Sequence, residues 1–299
     1  MKIQVQILSY GQSKHLSDCL KSLKKIGNYK NIQIVVIENA GEKNPLIIEY
    51  PEIKFMVNDV NLGFAEGNNV GFRYGIKNNV DYFLLLNDDT LVTKDFLINL
   101  LKFCKTHKKC GIVSPKIYFA ANYEYKKAYK QAERGKVIWY AGGKIDWKNI
   151  YASHRGVDEL DQGQYDKAEQ IDFATGCCML IKREVVAQTG GFDKNYFLYW
   201  EDIDLCERAK HKGWQIWYYP GSLIWHKNAG SSGGAGGKVS YYYQERNRLF
   251  FGFKHAAFKV KLHLLRQALS LLKSGDAVKK QAALDFLTSR QGRSTHEPS

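Results

Sequence analysis

Apolar and polar residues alternate from Ile3 to Leu8 and stop at the turn-prone Ser9-Tyr10-Gly11, the pattern of a β-strand. Leu16, Cys19, Leu20 and Leu23 then recur at helical spacing, and Gly27-Asn28 marks where that helix should close. The stretch "IQIVVIENA", Ile32 to Ala40, is a nearly continuous β-branched run, as expected of a strand covered on both faces. "IKFMVND" predicts a third strand and "VDYFLLLNDD" a fourth. Between them "NLGFAEGNNVGFRYGIKN" begins Gly-rich and turns helical. Strands alternating with helices over roughly the first 100 residues predict a parallel sheet of right-handed βαβ units.

After Gly111 the texture changes. "GIVSPKIYF" predicts a strand with a turn, Asn122 to Lys136 a Tyr-rich loop or exposed helix, and "VIWYAGGKIDW" a hairpin. From Gln170 a strand should lead to a short helix (Lys182 to Gln188), a Gly-Gly turn and the aromatic loop "YFLYW". A helix opened by acids and closed by Gly213 follows, then the strand "WQIWYYP". "SSGGAGGK", Ser231 to Lys238, has the composition of a mobile lid. Beyond Tyr241 the pattern is helical, basic and aromatic. The chain divides into 1–235, a catalytic domain with halves 1–110 (nucleotide) and 111–235 (acceptor), and 236–299, a flexible lid with a helical basic extension.

In open α/β sheets, ligands sit at the carboxyl ends of the strands. Four predicted strand ends here are polar: Ser9-Tyr10, Glu38-Asn39, Asn58-Asp59 and Asn87-Asp88-Asp89. Such an edge suits a nucleotide, although neither a G-x-G-x-x-G fingerprint nor a Walker A sequence is present. Adjacent side chains at a strand end diverge. Asp88 and Asp89 therefore suit two tasks, one holding a divalent cation and the other reaching a sugar or diphosphate; capping the next helix is the plainer use. Hard cations take few carboxylates and complete their shell with phosphate oxygens.

Glu201, Asp202 and Asp204 open a predicted helix, where the dipole favours acids. Asp204 also suits an i,i+4 pair with Arg208. Glu201 and Asp202 lie behind "YFLYW", which should dehydrate a carboxylate and raise its pKa toward that of a general base. His226, between an aromatic strand and the Gly-rich stretch, suits a metal ligand or a structural role. Arg246, beside Asn247, suits a phosphate contact or a solvated helix face.

Composition narrows the partners. The 299 residues, 44% hydrophobic and 25% charged, describe a globular protein with ample core. Six cysteines without a C-x-x-C pair predict reduced thiols in a cytoplasmic protein. "KIQVQIL" is too short and alternating for a signal peptide, and no run nears the roughly 18 apolar residues of a spanning helix. The net charge of +14 predicts an anionic partner, and from Gly236 onward twelve Lys/Arg face four Asp/Glu. That tail carries no nucleic-acid motif, which argues against nucleic acid. Phe251, Ala257, Phe258, Leu262, Leu265, Leu269 and Leu272 fall mostly on one helical side, open to an anionic membrane surface, to docking on the catalytic domain or to a homodimer.

The ordered series "ILSYG", "VVIENA", "NLGFAEGNNVG", "LLLNDDT", "ATGCCMLIKREVVAQTGGFDKNYFLYWEDIDLCERAKHKGW", "IWHKNAGSS" and "YYYQERNRL" covers Met1 to about Leu249. It resembles the family 2 glycosyltransferases of the GT-A fold, especially the bacterial rhamnosyltransferase-like branch of cell-surface polysaccharide synthesis. The resemblance implies a Rossmann-like, mostly parallel central sheet flanked by helices, with a helical basic C-terminal extension. It implies inverting transfer of a sugar from a nucleotide diphosphate, dTDP-rhamnose first and a UDP-hexose second, to a saccharide or lipid-linked acceptor. Asn87-Asp88-Asp89 matches the D-x-D-type element, with Asp89 a ligand of Mg²⁺ or Mn²⁺ and Asp88 near ribose or diphosphate. Asp202 matches the catalytic base, with Glu201 beside it, and His226 an additional metal ligand. Ser9, Tyr10, Glu38, Asn39, Asn61, Gly63, Asn68, Asn87 and Arg246 are the remaining donor contacts it implies. Glu38 replaces the family's usual Asp and keeps the carboxylate. The implied location is cytoplasmic or peripheral on the inner membrane face. A sugar-phosphate nucleotidyltransferase would need a Gly- and Lys/Arg-rich loop after its first strand, which "SYGQSKHL" lacks. A non-catalytic carbohydrate-binding protein would not need Asp89, Asp202 and His226 together.

Overall fold

The computed structural model describes residues 1–11, 14–26, 31–41, 44–125, 129–228 and 237–295. The expected helix stop at Gly27-Asn28 and the lid residues 231–236 lie outside the described residues. The first half runs β1 (Ile3–Ser9), α1 (Leu16–Leu23), β2 (Ile32–Glu38), α2 (Leu46–Glu49), β3 (Lys54–Val57), α3 (Gly63–Lys77) and β4 (Tyr82–Asn87). Then come β5 (Thr90–Val92), α4 (Phe96–Thr106), β6 (Cys110–Phe119), β7 (Ile138–Tyr140), β8 (Gly143–Asp146), β9 (Tyr151–His154) and β10 (Glu169–Gln170). The chain continues through β11 (Cys178–Lys182), α5 (Arg183–Thr189), α6 (Glu201–His211), β12 (Gln215–His226), α7 (Lys238–His255), α8 (Phe258–Ser274) and α9 (Ala277–Leu287).

One mixed sheet carries the fold, in the order β10-β12-β6-β11-β4-β1-β2-β3. Strands β3, β2, β1 and β4 are mutually parallel, β11 runs antiparallel to β4 and β6, and β12 returns parallel to β6. The chain moves outward from β1 to β3, then crosses through α3 to β4 on the other side of β1. That reversal opens a crevice at the carboxyl ends of β1 and β4, the usual place for a ligand in such sheets. The register lines up Ser9 with Glu38 and Leu8 with Asn87, so the polar ends share one edge.

The polar positions of β1 do not face water. Gln4 and Gln6 are fully buried under α3. Gln6 donates to the carbonyl and side-chain oxygens of Asn68 at 2.8 and 2.7 Å, and Gln4 donates to the Gly71 carbonyl at 2.8 Å. Gly67, Gly71 and Gly75, spaced by four, let α3 lie this close; a Cβ on Gly71 would collide with Gln6.

Three local expectations change. "VIWYAGGKIDW" is not a hairpin: β7 pairs with β6 in the main sheet, whereas β8 pairs with β9 in a separate ribbon. Gly142, at φ 108°, is the exit between the two sheets, a conformation open to glycine. Asp88 and Asp89 cap no helix; they form the turn into β5, which pairs antiparallel with β12. The C-terminal run is broken at Ala256 and Ala257, whose ψ angles of 163° and 154° are extended. Phe251 thus stays buried in α7 while α8 starts a new direction.

Candidate active site

Strand pairing brings the first two candidates together across more than a hundred residues. His226 is the register partner of Thr90, and the Lys227 amide donates to the Asp89 carbonyl at 2.9 Å. The His226 Nε2 therefore sits 3.0 Å from Asp89 Oδ1, with both side chains buried. The Trp139 ring meets the imidazole edge-on at 4.4 Å, and Nδ1 has no hydrogen-bond partner among the described residues. Asp88 turns the other way: Ser9 Oγ donates to its Oδ2 at 3.2 Å. The two carboxylates of the turn thus diverge, one toward β12 and one toward β1.

This donor set fits a divalent cation. A buried carboxylate and a buried imidazole converge as two protein ligands, although the described residues hold no group of three or more His, Cys, Asp or Glu placed to hold a metal ion. Mg²⁺ or Mn²⁺ held by Asp89 and His226 would leave coordination positions for substrate oxygens.

The second half of the crevice belongs to α6. Residues Phe197, Tyr199 and Trp200, which lead into it, have φ of 62°, 66° and 74°. Non-glycine residues in such conformations cost on the order of 1–3 kcal/mol each, so their surroundings must hold them. The Phe64 amide at the start of α3 donates to the Phe197 carbonyl at 2.7 Å. From α7, Asn247 Nδ2 donates to the carbonyls of Tyr196, Leu198 and Tyr199 at 2.8, 2.8 and 2.9 Å. Asn247→Ala is expected to release this loop: proteolytic cutting between Phe197 and Trp200 should rise, and turnover should fall more than donor affinity.

Asp202 projects from the first turn of α6 and accepts from the Gly176 and Ile203 amides, both at 2.8 Å. Cys177, next to Gly176, accepts from the Asn87 amide at 2.9 Å, which ties this acid to the Asp88–Asp89 turn. Glu201 is buried, and its Oε2 lacks a hydrogen-bond partner among the described residues. Burial pushes the Glu201 carboxyl well above the usual carboxylate range, and the neighbouring Asp202 charge adds to the rise. Burial also raises Asp202, against the amide hydrogen bonds that favour its anion. Asp204 behaves oppositely: His255, Arg208 and Lys254 overcome its burial and hold it low. Its 2.6 Å pair with Arg208 is the expected i,i+4 contact.

A raised folded-state pKa means that folding costs more as the proton leaves. Stability should therefore fall as pH rises from about 4.3, the unfolded value for Glu, through the raised native value. Glu201→Gln is expected to flatten much of that slope, read as melting temperature against pH between about 4 and 8.

The other candidates divide. Tyr10 is exposed at the end of β1, available to a ligand. Glu38 is buried beneath that edge and accepts from Asn44 at 3.0 Å. Asn39 accepts from Asn58 and the Leu62 amide and donates to Asn61 and the Gly63 carbonyl; Asn61 in turn accepts from the Gly63 amide. Asn68 is committed to Gln6 and the Phe64 carbonyl. At Gly63, φ is 74° and a Cβ would strike Phe197. Asn39, Asn61, Gly63 and Asn68 thus hold the start of α3 against the ends of β1 and β2. Arg246 departs from the expected phosphate contact: its guanidinium is buried between Tyr242 and Tyr243 and donates to the Gly292 carbonyl at 2.9 Å. Lys227 was not singled out by pattern. Its ammonium, one residue beyond His226, is buried and held by Asp18 at 2.6 Å. Only its adjacency to His226 could have signalled it.

Residues 2–252 match the family described as "Glycosyltransferase like family 2". The N-acetylglucosaminyl-diphospho-decaprenol L-rhamnosyltransferase of Mycobacterium tuberculosis is 24% identical over 247 residues, covering 77% of this chain and 78% of the relative. The structure of GalNAc-T7 with UDP, GalNAc and Mn²⁺ superposes at TM-score 0.66 and 16% identity, over 96% of this chain and 54% of that one. The Pyrobaculum calidifontis mannosyltransferase PcManGT, in complex with GDP-Man and Mn²⁺, gives TM-score 0.59 at 11% identity, over 97% of this chain and 88% of that one. The fold shared with these structures is the GT-A fold.

Proposed function

As this chain belongs to the glycosyltransferase-like family 2, we propose that it is a divalent-cation-dependent, inverting glycosyltransferase acting on a saccharide or lipid-linked saccharide. The donor is a nucleotide-diphosphate sugar, dTDP-rhamnose before a UDP-hexose. The observation that carries this reading is the pairing of two differently built acidic sites at one sheet edge. Asp89 and His226 converge where a cation would fit, and Asp202 stands across the Gly176–Cys177 strand end.

The residues divide the work. Asp88, anchored by Ser9, and Tyr10 line the end of β1, where the nucleotide would lie. A bound Mg²⁺ or Mn²⁺ would neutralise the charge developing on the leaving diphosphate. Asp202 takes the acceptor hydroxyl proton as that oxygen bonds to the anomeric carbon and the carbon–diphosphate bond breaks. One base opposite the leaving group gives inversion. The burial that raises Asp202 strengthens it as a base, and its two amide donors keep the anion available. The relative's name, which specifies L-rhamnosyl transfer and a diphospho-decaprenol-linked acceptor, supports rhamnosyl transfer to a lipid-linked saccharide. The test is turnover of dTDP-rhamnose and UDP-hexoses with a lipid-diphosphate-linked GlcNAc acceptor. Release of free nucleoside diphosphate with formation of the opposite anomer supports the reading, and pyrophosphate-dependent formation of nucleoside triphosphate and sugar 1-phosphate contradicts it.

A further inference from the structure

Helix α8 has two apolar faces, and the fold uses one. Leu264 and Ala268 are fully buried in the core that also contains Ala283 and Phe286 of α9. On another side Phe258, Leu262 and Leu269 are 73%, 40% and 53% exposed, with Leu265 and Leu272 beside them half-buried and packed against the core. At 3.6 residues per turn these five side chains share a stripe about 80° wide and about 21 Å long. Scattered exposed leucines are ordinary on protein surfaces, but a continuous stripe marks a contact surface.

The charges beside the stripe say what it meets. Helix α8 carries Lys259, Lys261, Arg266 and Lys273 and no Asp or Glu. Lys259, Arg266 and Lys273 are exposed along one border, and Lys261 lies on the other. A second copy of this chain would set the cationic borders together on a protein whose net charge is already +14, so self-pairing is disfavoured. Ordinary protein interfaces also deplete lysine at their centres. No helix among the described residues is long and apolar enough to cross a membrane, so the helix would lie on one.

We infer that α8 docks in the plane of an anionic lipid surface, with Phe258, Leu262 and Leu269 among the acyl chains and Lys259, Arg266 and Lys273 at headgroup phosphates. The inference rests on the transferase reading only for the acceptor's location; lipid affinity is measurable without donor or acceptor. Helix α8 follows α7, whose Asn247 holds the loop ahead of Glu201 and Asp202.

The experiment is sedimentation of the full chain with vesicles of phosphatidylglycerol and phosphatidylcholine, against pure phosphatidylcholine, at low and high salt. Binding is expected to the anionic vesicles and to weaken with salt. Replacing Lys259, Arg266 and Lys273 by Gln should lower partitioning by about 10²-fold. Phe258→Ser with Leu269→Ser should abolish it while the melting temperature and turnover of a soluble acceptor stay unchanged. Equal binding to neutral vesicles, or undiminished binding by both variants, would overturn the inference. So would no affinity for anionic vesicles at low salt; a dimer that the Phe258→Ser, Leu269→Ser variant dissociates in sedimentation equilibrium would then assign the stripe to self-association.

Discussion

Asp202→Asn should fold normally, bind nucleoside diphosphate with near-native affinity and lose about 10²–10⁴ in turnover, the usual contribution of a general base. The asparagine can still accept from the Gly176 amide through its carbonyl oxygen, so the strand end should hold its place. What disappears is the capacity to take a proton. The loss should therefore fall in kcat, with donor binding spared. Glu201→Gln is the control, because its carboxyl is buried and strongly raised, a group held neutral more readily than its neighbour. It should lose much less turnover. The pH profile gives a second readout: wild-type kcat/KM should rise through an acid limb above the ordinary Asp value of about 3.9, following the raised Asp202. Collapse at Glu201 with near-normal turnover at Asp202 would move the base by one residue. Full activity in both variants would refute the single in-line displacement.

Asp89→Ala should abolish both activity and its dependence on Mg²⁺ or Mn²⁺, a loss on the order of 10³-fold or more if the cation supplies several kcal/mol at the leaving group. His226→Ala should weaken cation affinity and raise the concentration needed for half-maximal activity. The two variants also separate stability from binding. Removing either partner of the 3.0 Å Asp89–His226 contact leaves the other buried polar group short of a partner, so melting temperature should fall in both. Cation binding followed by Mn²⁺ paramagnetic relaxation with nucleoside diphosphate present should be lost in Asp89→Ala. Unchanged activity of Asp89→Ala in chelator would remove the metal from the mechanism.

The strand ends were legible because strand periodicity and turn chemistry are local. Ser9, Glu38 and Asn87 could be placed on one edge from the apolar runs alone, and the register confirms their alignment. The divergence of Asp88 and Asp89 also followed from strand geometry. The antiparallel insertion of β11 was not legible, since a fully buried "CMLIK" reads the same in either direction. Nor was the β5–β12 pairing that brings His226 to Asp89, because sequence carries no register for strands more than a hundred residues apart. Arg246 shows the opposite failure. Composition makes an arginine near an aromatic helix look like a phosphate ligand, whereas packing between two tyrosine rings uses the same cation–π chemistry for structure. The loop contacts of Asn39 and Asn61 were not legible either, since which side chain accepts from the Leu62 and Gly63 amides depends on the folded loop.

The central claim, a cation-assisted nucleotide-sugar site at the β1–β4 crevice, is tested most directly by thermal shift of the wild-type protein across nucleotide sugars with Mn²⁺ or chelator. A ligand at about 100 times its dissociation constant adds about 2.7 kcal/mol of stability. In a chain of this size that corresponds to a rise of roughly 4 °C. The prediction is a concentration-dependent rise with dTDP-rhamnose or a UDP-hexose in Mn²⁺ that vanishes with chelator and in Asp89→Ala. A rise of the same size in chelator, or none with any nucleotide sugar in Mn²⁺, would contradict the account.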